Sequence, residues 1–448
     1  MSESVGSAAS VGRLERLAQL PLLAPLQGRD YRLVWFGESV SLLGDQFHYV
    51  ALSWLVLGLT GSGLALGTVL LAASLPRGAF LLFGGVLADR VSPRALMLVS
   101  NVIRAMLTTV IAALVFGSQI QLWQLVVAAA IFGTVDAVFY PAISTIVARL
   151  ARPEQLASAN ALLQGTQQLM TTVGPALAGI AVAIIGVGAA FAIDAASFAV
   201  AATALWFVRR DDWAPLVAPA ATDAPTAGAP TPNASVVDAS ITQPPAEHPS
   251  VLTALVEGAR AVLGDPALRI LVILSAAFNV AFTGPVVVGL PWLVRVRFEG
   301  DASMLGLLLA AFGAGSVIGI ALVGSLPRPR SLGGLVLGIA ALLGIGLGAV
   351  GLAPWQTSLA ILLLVGAGVG YLNVSIISWT QARTEPHLLG RTMSFLMLGS
   401  VVAAPLSLAL AGLLVDTGAT AMFLLAGGLV LVVCVAGAAS GLAKRMTW

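Results

Sequence analysis

The sequence predicts an all-α membrane protein of twelve transmembrane helices, built as two six-helix halves with both termini in the cytoplasm. Three observations predict it. The 448 residues are 58% hydrophobic and only 9% charged, against about 25% charged in soluble domains. Apolar runs long enough to cross a bilayer recur along the whole chain. Stretches of the first six runs also return in the last six. Trp54-Leu55-Val56 matches Trp292-Leu293-Val294, Gly67-Thr-Val-Leu-Leu-Ala-Ala matches Gly306-Leu-Leu-Leu-Ala-Ala, and Gly85-Val-Leu87 matches Gly324-Ser-Leu326. Further on, Gly174-Pro175 aligns with Ala404-Pro405. A repeat of six helices running in one direction describes two parallel halves about an axis normal to the membrane.

Residues 1–32 form a cytoplasmic segment. It starts polar and then places Leu14, Leu17 and Leu20 beside Arg13 and Arg16, which suits either a helix lying on the membrane surface or a disordered tail. The charged-then-apolar-then-small layout of a cleaved signal is missing, so the first span is expected to be retained. The N-terminal bundle, 33–208, holds spans at 33–57, 64–88, 95–117, 122–150, 156–185 and 188–208. Residues 209–264 read as a cytoplasmic linker: eight prolines fall between 215 and 249 among Ala, Thr and Ser with no apolar period, which marks disorder. Its end, Ser250–Leu263, suits a short interfacial helix. The C-terminal bundle, 265–443, holds spans at 266–294, 303–325, 332–352, 355–380, 390–415 and 419–442, and 444–448 form a cytoplasmic tail. With the N-terminus inside, 18 of the 22 bases fall in cytoplasmic segments; Arg295 and Arg297 fall outside, and Arg77 and Arg104 within spans. That asymmetry sets the orientation.

Composition also excludes. A net charge of +2 gives no reason to expect nucleic acid. One cysteine, Cys434, and histidines only at 48, 248 and 387 leave no conventional metal cluster. No G-x-x-x-x-G-K-[ST] run exists, and the only lysine is Lys444, so no P-loop binds ATP. No cofactor is expected, no enzyme is expected, and energy must come from an ion gradient unless transport is passive.

The chemistry gathers in the first half. Glu38, Ser41, Asp45 and His48 fall within about 80° of one another on a helical wheel, a polar stripe on an apolar helix. Asp136 and Tyr140 stand one turn apart on the fourth span, Arg77 lies in the second, Asn101 and Arg104 in the third, and Asp194 in the sixth. Six intramembrane ionisable residues at roughly 3 kcal/mol each imply pairing or a water-filled cavity. Acids outnumber arginines, so at least one carboxylate lacks a full partner and is free to carry protons. Asp45 and Asp136 are the coupling candidates, with Glu38 on the cytoplasmic path. Arg104 and Arg77 either tune these acids or simply pair with them to hold the bundle. The second half is quieter: Asn279, Asn373, Ser375, Ser378 and Gln381 among Phe278, Phe282, Tyr371, Trp379, Phe395 and Met397, a wall suited to an amphiphilic solute.

The charged hinge Gly84–Met97 joins two apolar runs with three charges in six residues. Its spacing, Gly85-x-Leu87-Ala88-Asp89-Arg90-x-x-x-Arg94, resembles the signature loop between helices 2 and 3 of the major facilitator superfamily; Pro93 departs from that pattern. Ser41-Leu-Leu-Gly44-Asp45, Phe139-Tyr-Pro141-Ala142 and Gln155-Leu-Ala-Ser-Ala-Asn160-Ala resemble the branch that contains macrolide efflux proteins and enterobactin exporters. Gly174-Pro175-Ala-Leu-Ala178-Gly179 resembles the second half of the superfamily's antiporter motif, although small residues and Pro there also serve close packing. The resemblance implies a major facilitator fold, alternating access, and a switch role for Gly85, Asp89, Arg90 and Arg94. The expected function is proton-coupled export of a small amphiphilic compound (a drug, macrolide or siderophore-like metabolite) by a monomer in the cell membrane, with protons and lipid as its other partners. Uptake or facilitated diffusion of a nutrient is the alternative within transport; a non-transporting membrane sensor or assembly protein is the alternative outside it.

Overall fold

The computed structural model describes residues 21–209, 259–260, 264–327, 331–384, 389–441 and 446, with backbone alone at 81–90, 389–391, 394–398, 400 and 401. Residues 1–20, read as a surface helix or a disordered tail, most of the Pro-rich linker and its interfacial end (of which 259–260 are described, as helix), and most of the C-terminal tail lie outside these residues. Every long element is helical, and no strand occurs among the described residues.

A short 3₁₀ helix, Pro21–Gln27, leads into α1 (Arg29–Thr60). Then follow α2 (Gly63–Arg90), α3 (Pro93–Phe116), α4 (Leu122–Leu150) and α5 (Leu156–Trp206). After the linker, α6 (Pro266–Gly284) continues to Arg297 through π-helical turns at Pro285–Gly289 and Leu293–Arg297. The last four are α7 (Ala302–Ser325), α8 (Leu332–Val350), α9 (Trp355–Arg383) and α10 (Leu389–Ala439). Ten helices among the described residues are long and apolar enough to cross a membrane. The helix of α1 starts at Arg29 rather than 33, because hydropathy marks the hydrocarbon core while the helix runs on into the polar boundary. There the Tyr31 hydroxyl donates to the Ala159 carbonyl (2.8 Å) and ties α1 to α5.

Two helices are broken midway. Gly186 in α5 (φ 82°, ψ 169°) and Gly418 in α10 (φ 154°, ψ 106°) leave the helical region for conformations that only glycine adopts without strain. Both fall in the gaps between predicted spans.

Packing repeats between the halves. In the first, α1 and α3 pack on α5 while α2 packs on α4; in the second, α6 and α8 pack on α10 while α7 packs on α9. The two sets meet along α5–α7 and α2–α10, which are equivalent pairs under the same repeat. Each seam is lined by glycine. A Cβ on Gly67 would stand 2.9 Å from the Gly412 Cα, and one on Gly179 would stand 3.0 Å from the Gly306 Cα. Without side chains to hold them apart, the backbones come into direct contact.

Both seams close the same end of the bundle, where α2 and α7 begin. There Asp416 of α10 reaches across to the other half. It accepts from the Ser62 hydroxyl (2.6 Å), the Gly63 amide (2.6 Å) and the Leu64 amide (3.1 Å), capping the N-terminus of α2 with a carboxylate. Beside it, Arg295 lies over the Trp54 ring and donates to the Trp54 carbonyl (3.3 Å). At the opposite end, Asp265 caps α6 and pairs with Arg383 (2.8 Å). Burial pushes its carboxyl up, but the Arg383 guanidinium and the Ala267 and Leu268 amides outweigh that and hold it below the usual range.

The Asp416 cap gives a first expected result. Asp416→Ala removes a cap worth about 1 kcal/mol, roughly fivefold in a two-state population. Spin labels at Ser118 and Leu352, with Cys434 replaced, should then show a correspondingly larger long-distance population; an unchanged distribution would mean that the cap does not hold this end shut.

Candidate functional site

Five helices bring the polar side chains of the first half together. From α1 come Glu38, Ser41, Asp45 and His48, from α2 Arg77, from α3 Asn101, Arg104 and Thr108, from α4 Asp136 and Tyr140, and from the second arm of α5 Asp194 and Ser197. Glu38, His48, Arg104, Asp136 and Asp194 are buried, and Asp45 is partly so.

Asp136 is the hub. Arg104 donates to its Oδ1 in a short buried hydrogen bond, and Arg77 lies 3.8 Å from its Oδ2. The Arg104 guanidinium sits in a cage of rings, 4.3 Å from Phe139, 5.5 Å from Phe132 and 5.6 Å from Phe198. Aromatic faces stabilise a desolvated cation, so one arginine is held by an acid and three rings together. Arg77 is stacked in turn over Tyr140 at 4.6 Å.

Of the two coupling candidates, Asp136 is the one on which both intramembrane arginines converge. Among the described residues, Glu38 and Asp45 make no ion pair within 4 Å and no hydrogen bond. They stay within electrostatic reach of Arg104 and Asp136, and Asp45 also of Asp194. The fourth acid has its own partner: the Asp194 Oδ2 lies 3.0 Å from the His48 Nδ1.

Exposure shows where these groups face. Tyr49 is 49% exposed and within electrostatic reach of Asp45, Asp136, Arg77 and Tyr140, and Tyr140 is 43% exposed. On α9, Asn373, Ile377 and Gln381 form an exposed stripe at four-residue spacing. Polar side chains of both halves are thus exposed, Tyr49 and Tyr140 on the first and Asn373 and Gln381 on the second, and Asp45 is partly buried. The aromatic wall of the second half is present in part: Phe278 stacks on Phe282 at 5.1 Å, and Phe282 leans on Phe312 at 5.5 Å. Side chains of Phe395 and Met397 lie outside the described residues.

The charged hinge is a two-residue turn. α2 ends at Arg90, the Ser92 hydroxyl accepts from the Ala95 amide (3.4 Å), and Pro93 opens α3. Pro at the first helical position forfeits an amide that would be unpaired anyway, which explains how the departure from the pattern is accommodated. Arg94 is buried and donates to the Leu205 (2.8 Å) and Trp206 (2.7 Å) carbonyls, so it caps the C-terminal end of α5. Gly85, Asp89 and Arg90 are described by their backbone alone.

Gly174, Pro175 and Gly179 sit where α5 crosses both α1 and α7. Gly174 faces Gln46 of α1, and the Pro175 carbonyl and Gly179 face Gly306 and Ala302 of α7. The motif thus lies in a tight helix crossing. Overfilling a tight site costs about 1–3 kcal/mol. Gly179→Val should accordingly slow transport about tenfold or more at unchanged membrane abundance, whereas Gly338→Ala, which meets open space, should not. Equal effects of the two changes on flux would remove the seam's importance.

Sequence reasoning passed over the Phe132–Phe139–Phe198 cage, Thr108 and Asp416. Isolated aromatics and a helix-end acid carry no signal until their neighbours are known.

Comparison with known proteins completes the assignment. Macrolide efflux protein A of Streptococcus pyogenes is 24% identical over 411 residues, covering 90% of this chain and 93% of its own length. The multidrug efflux pump Tap of Mycolicibacterium fortuitum is 26% identical over 402 residues (88% and 91%). An uncharacterised MFS-type transporter, y4rN of Sinorhizobium fredii, is 28% identical over 298 residues, 64% of each chain. Among solved structures, the nucleoside transporter NupG superposes with a TM-score of 0.68 over 92% of this chain and 99% of its own, at 15% identity, a likeness of fold. The sequence profile of the Major Facilitator Superfamily matches residues 34–395. The chain thus belongs to the Major Facilitator Superfamily, a family of membrane transporters and not of enzymes.

Proposed function

We propose that this protein is a proton-coupled antiporter that exports a small amphiphilic compound across the cell membrane by alternating access. One observation carries the coupling: among the described residues, partly exposed Asp45 and buried Glu38 have no ion pair, while both intramembrane arginines are committed to Asp136. A carboxylate that borders water and lacks a fixed counter-charge is suited to take up and release a proton; Arg cannot be, because it stays charged. Arg104, Arg77 and Asp136 then set the field in which these acids work, and Tyr140 contributes to the cavity wall.

Twelve crossings fit the topology. A helix of 51 residues, as in α5 and α10, would be roughly 75 Å long, more than twice the hydrocarbon core, so Gly186 and Gly418 serve as turns between two spans each. The bundles are then 33–208 and 265–443, joined by 209–264. The bias of arginines puts both termini in the cytoplasm. In that orientation the end closed by Asp416 faces outward and the cavity opens inward. Export, rather than uptake, is favoured by the efflux function of two relatives and by the Gly174-Pro175…Gly179 motif.

The test is efflux of dyes, macrolides and siderophores from cells carrying the native protein or Asp45→Asn at matched abundance, with and without a protonophore. Loss of efflux under both changes supports proton antiport. Flux that survives collapse of the gradient would mean a uniporter, and no flux for any compound would return the function to the non-transporting alternative.

A further inference from the structure

We propose that His48 and Asp194 form a second proton station, one helical turn beyond Asp45 on the outward side. It rests on the proton-coupled reading above.

The pair is enclosed. Asp194 and Thr108 are 0% exposed, and His48 is 8% exposed. Rings close over the imidazole from α4 and α5, Phe132 at 4.8 Å and Phe191 at 5.4 Å, while Tyr49 meets it edge-on at 6.2 Å. Charged and titratable groups around the pair are Asp45 on α1 and Arg104 from α3, both in electrostatic reach of Asp194, and the Tyr49 phenol beside the imidazole. Thr108 stands beside the carboxylate, and the Ser197 hydroxyl is spent on the Asp194 carbonyl (2.7 Å).

A merely structural pair would be fully satisfied. Here the carboxylate is not: its Oδ2 meets the His48 Nδ1, but its sealed Oδ1 makes no well-formed hydrogen bond among the described residues, with only the Thr108 hydroxyl beside it. Leaving such an acceptor open in a core is costly, and it leaves the acid able to take a proton. Gly44 permits the approach. A Cβ at that position would stand 2.8 Å from the Asp194 Oδ1, so the missing side chain lets the carboxylate press against α1 beside Asp45.

The transfer balances without another reactant. Asp45 loses its carboxyl proton, and the His48 ring nitrogen not engaged by Asp194 gains it; one O–H bond breaks and one N–H bond forms. The resulting imidazolium is neutralised by the Asp194 carboxylate, and the return transfer restores both groups. Glu38, Asp45 and His48 run along one face of α1 over about 15 Å. Glu38 thereby serves the cytoplasmic side of Asp45, and the His48–Asp194 pair serves the outer side.

The test uses the full chain in lipid nanodiscs with ¹⁵N-labelled histidine. With three histidines in the sequence, His248→Gln and His387→Gln leave His48 as the sole imidazole signal. His48 should pass between neutral and imidazolium forms between about pH 5 and 9, and Asp45→Asn should move the midpoint by roughly half a pH unit or more. Asp45→Ser gives the same reading if the Asn variant does not insert. A single protonation state throughout, or a midpoint indifferent to both Asp45 variants, overturns the station. The measurement needs no transported compound, so a silent His48 in a protein that exports against protons would overturn the station alone, and the coupling reading would stand.

Discussion

Asp45→Asn is expected to abolish uphill export while the protein still folds and reaches the membrane. Asn keeps the size and polarity of Asp but cannot carry the proton. The expected size follows from the driving force. One proton moving through about 100 mV releases about 2.3 kcal/mol, enough for a roughly fiftyfold concentration ratio. Loss of coupling should bring that ratio toward one. Folding should be spared, because among the described residues Asp45 has no ion pair or hydrogen bond whose loss would leave a buried partner behind. The readout is accumulation of a fluorescent substrate against its gradient, in vesicles with an imposed pH difference. Downhill exchange of the same compound should persist, since the cavity wall is intact. If uphill transport also persists, coupling lies elsewhere, and Glu38 is the next acid to neutralise.

How much of this was legible in the sequence depends on what each feature needs in order to exist. Gly186 and Gly418 fall in the predicted gaps because length alone forces a break: no bilayer accommodates 51 helical residues in one pass. The stripe Glu38–Ser41–Asp45–His48 was visible because the helical period fixes which residues share a face. Which acid each arginine meets was not visible. A wheel gives the face of one helix but not its rotation against the next, so the convergence of Arg77 and Arg104 on Asp136 appears only when α2, α3 and α4 are packed. Arg94 shows the same limit. In sequence it is one more base in a hinge; in the fold it caps carbonyls 111 and 112 residues away.

Removing Arg104 should be the most damaging single change to the fold. Breaking a buried ion pair from one side costs about 3–5 kcal/mol, because the remaining charge is left in a poorly polarisable interior. In Arg104→Met that remaining charge is Asp136, with only the looser Arg77 contact at 3.8 Å to offset it. The Phe132, Phe139 and Phe198 faces lose their cation as well. A second substitution separates this from a role in transport. Adding Asp136→Leu to Arg104→Met removes the stranded carboxylate and should recover part of the stability, whereas Asp136→Leu alone leaves Arg104 charged but still caged by rings and should cost less than Arg104→Met. Unfolding of the purified variants in mixed detergent micelles gives the coupling energy of the cycle. Strong coupling with poor folding of Arg104→Met would identify the pair as the strut of the first half. Normal folding with altered pH dependence of export would instead make Arg104 chiefly a source of field for Asp45 and Glu38, and the stability of the bundle would then have to come from the glycine seams and the apolar core.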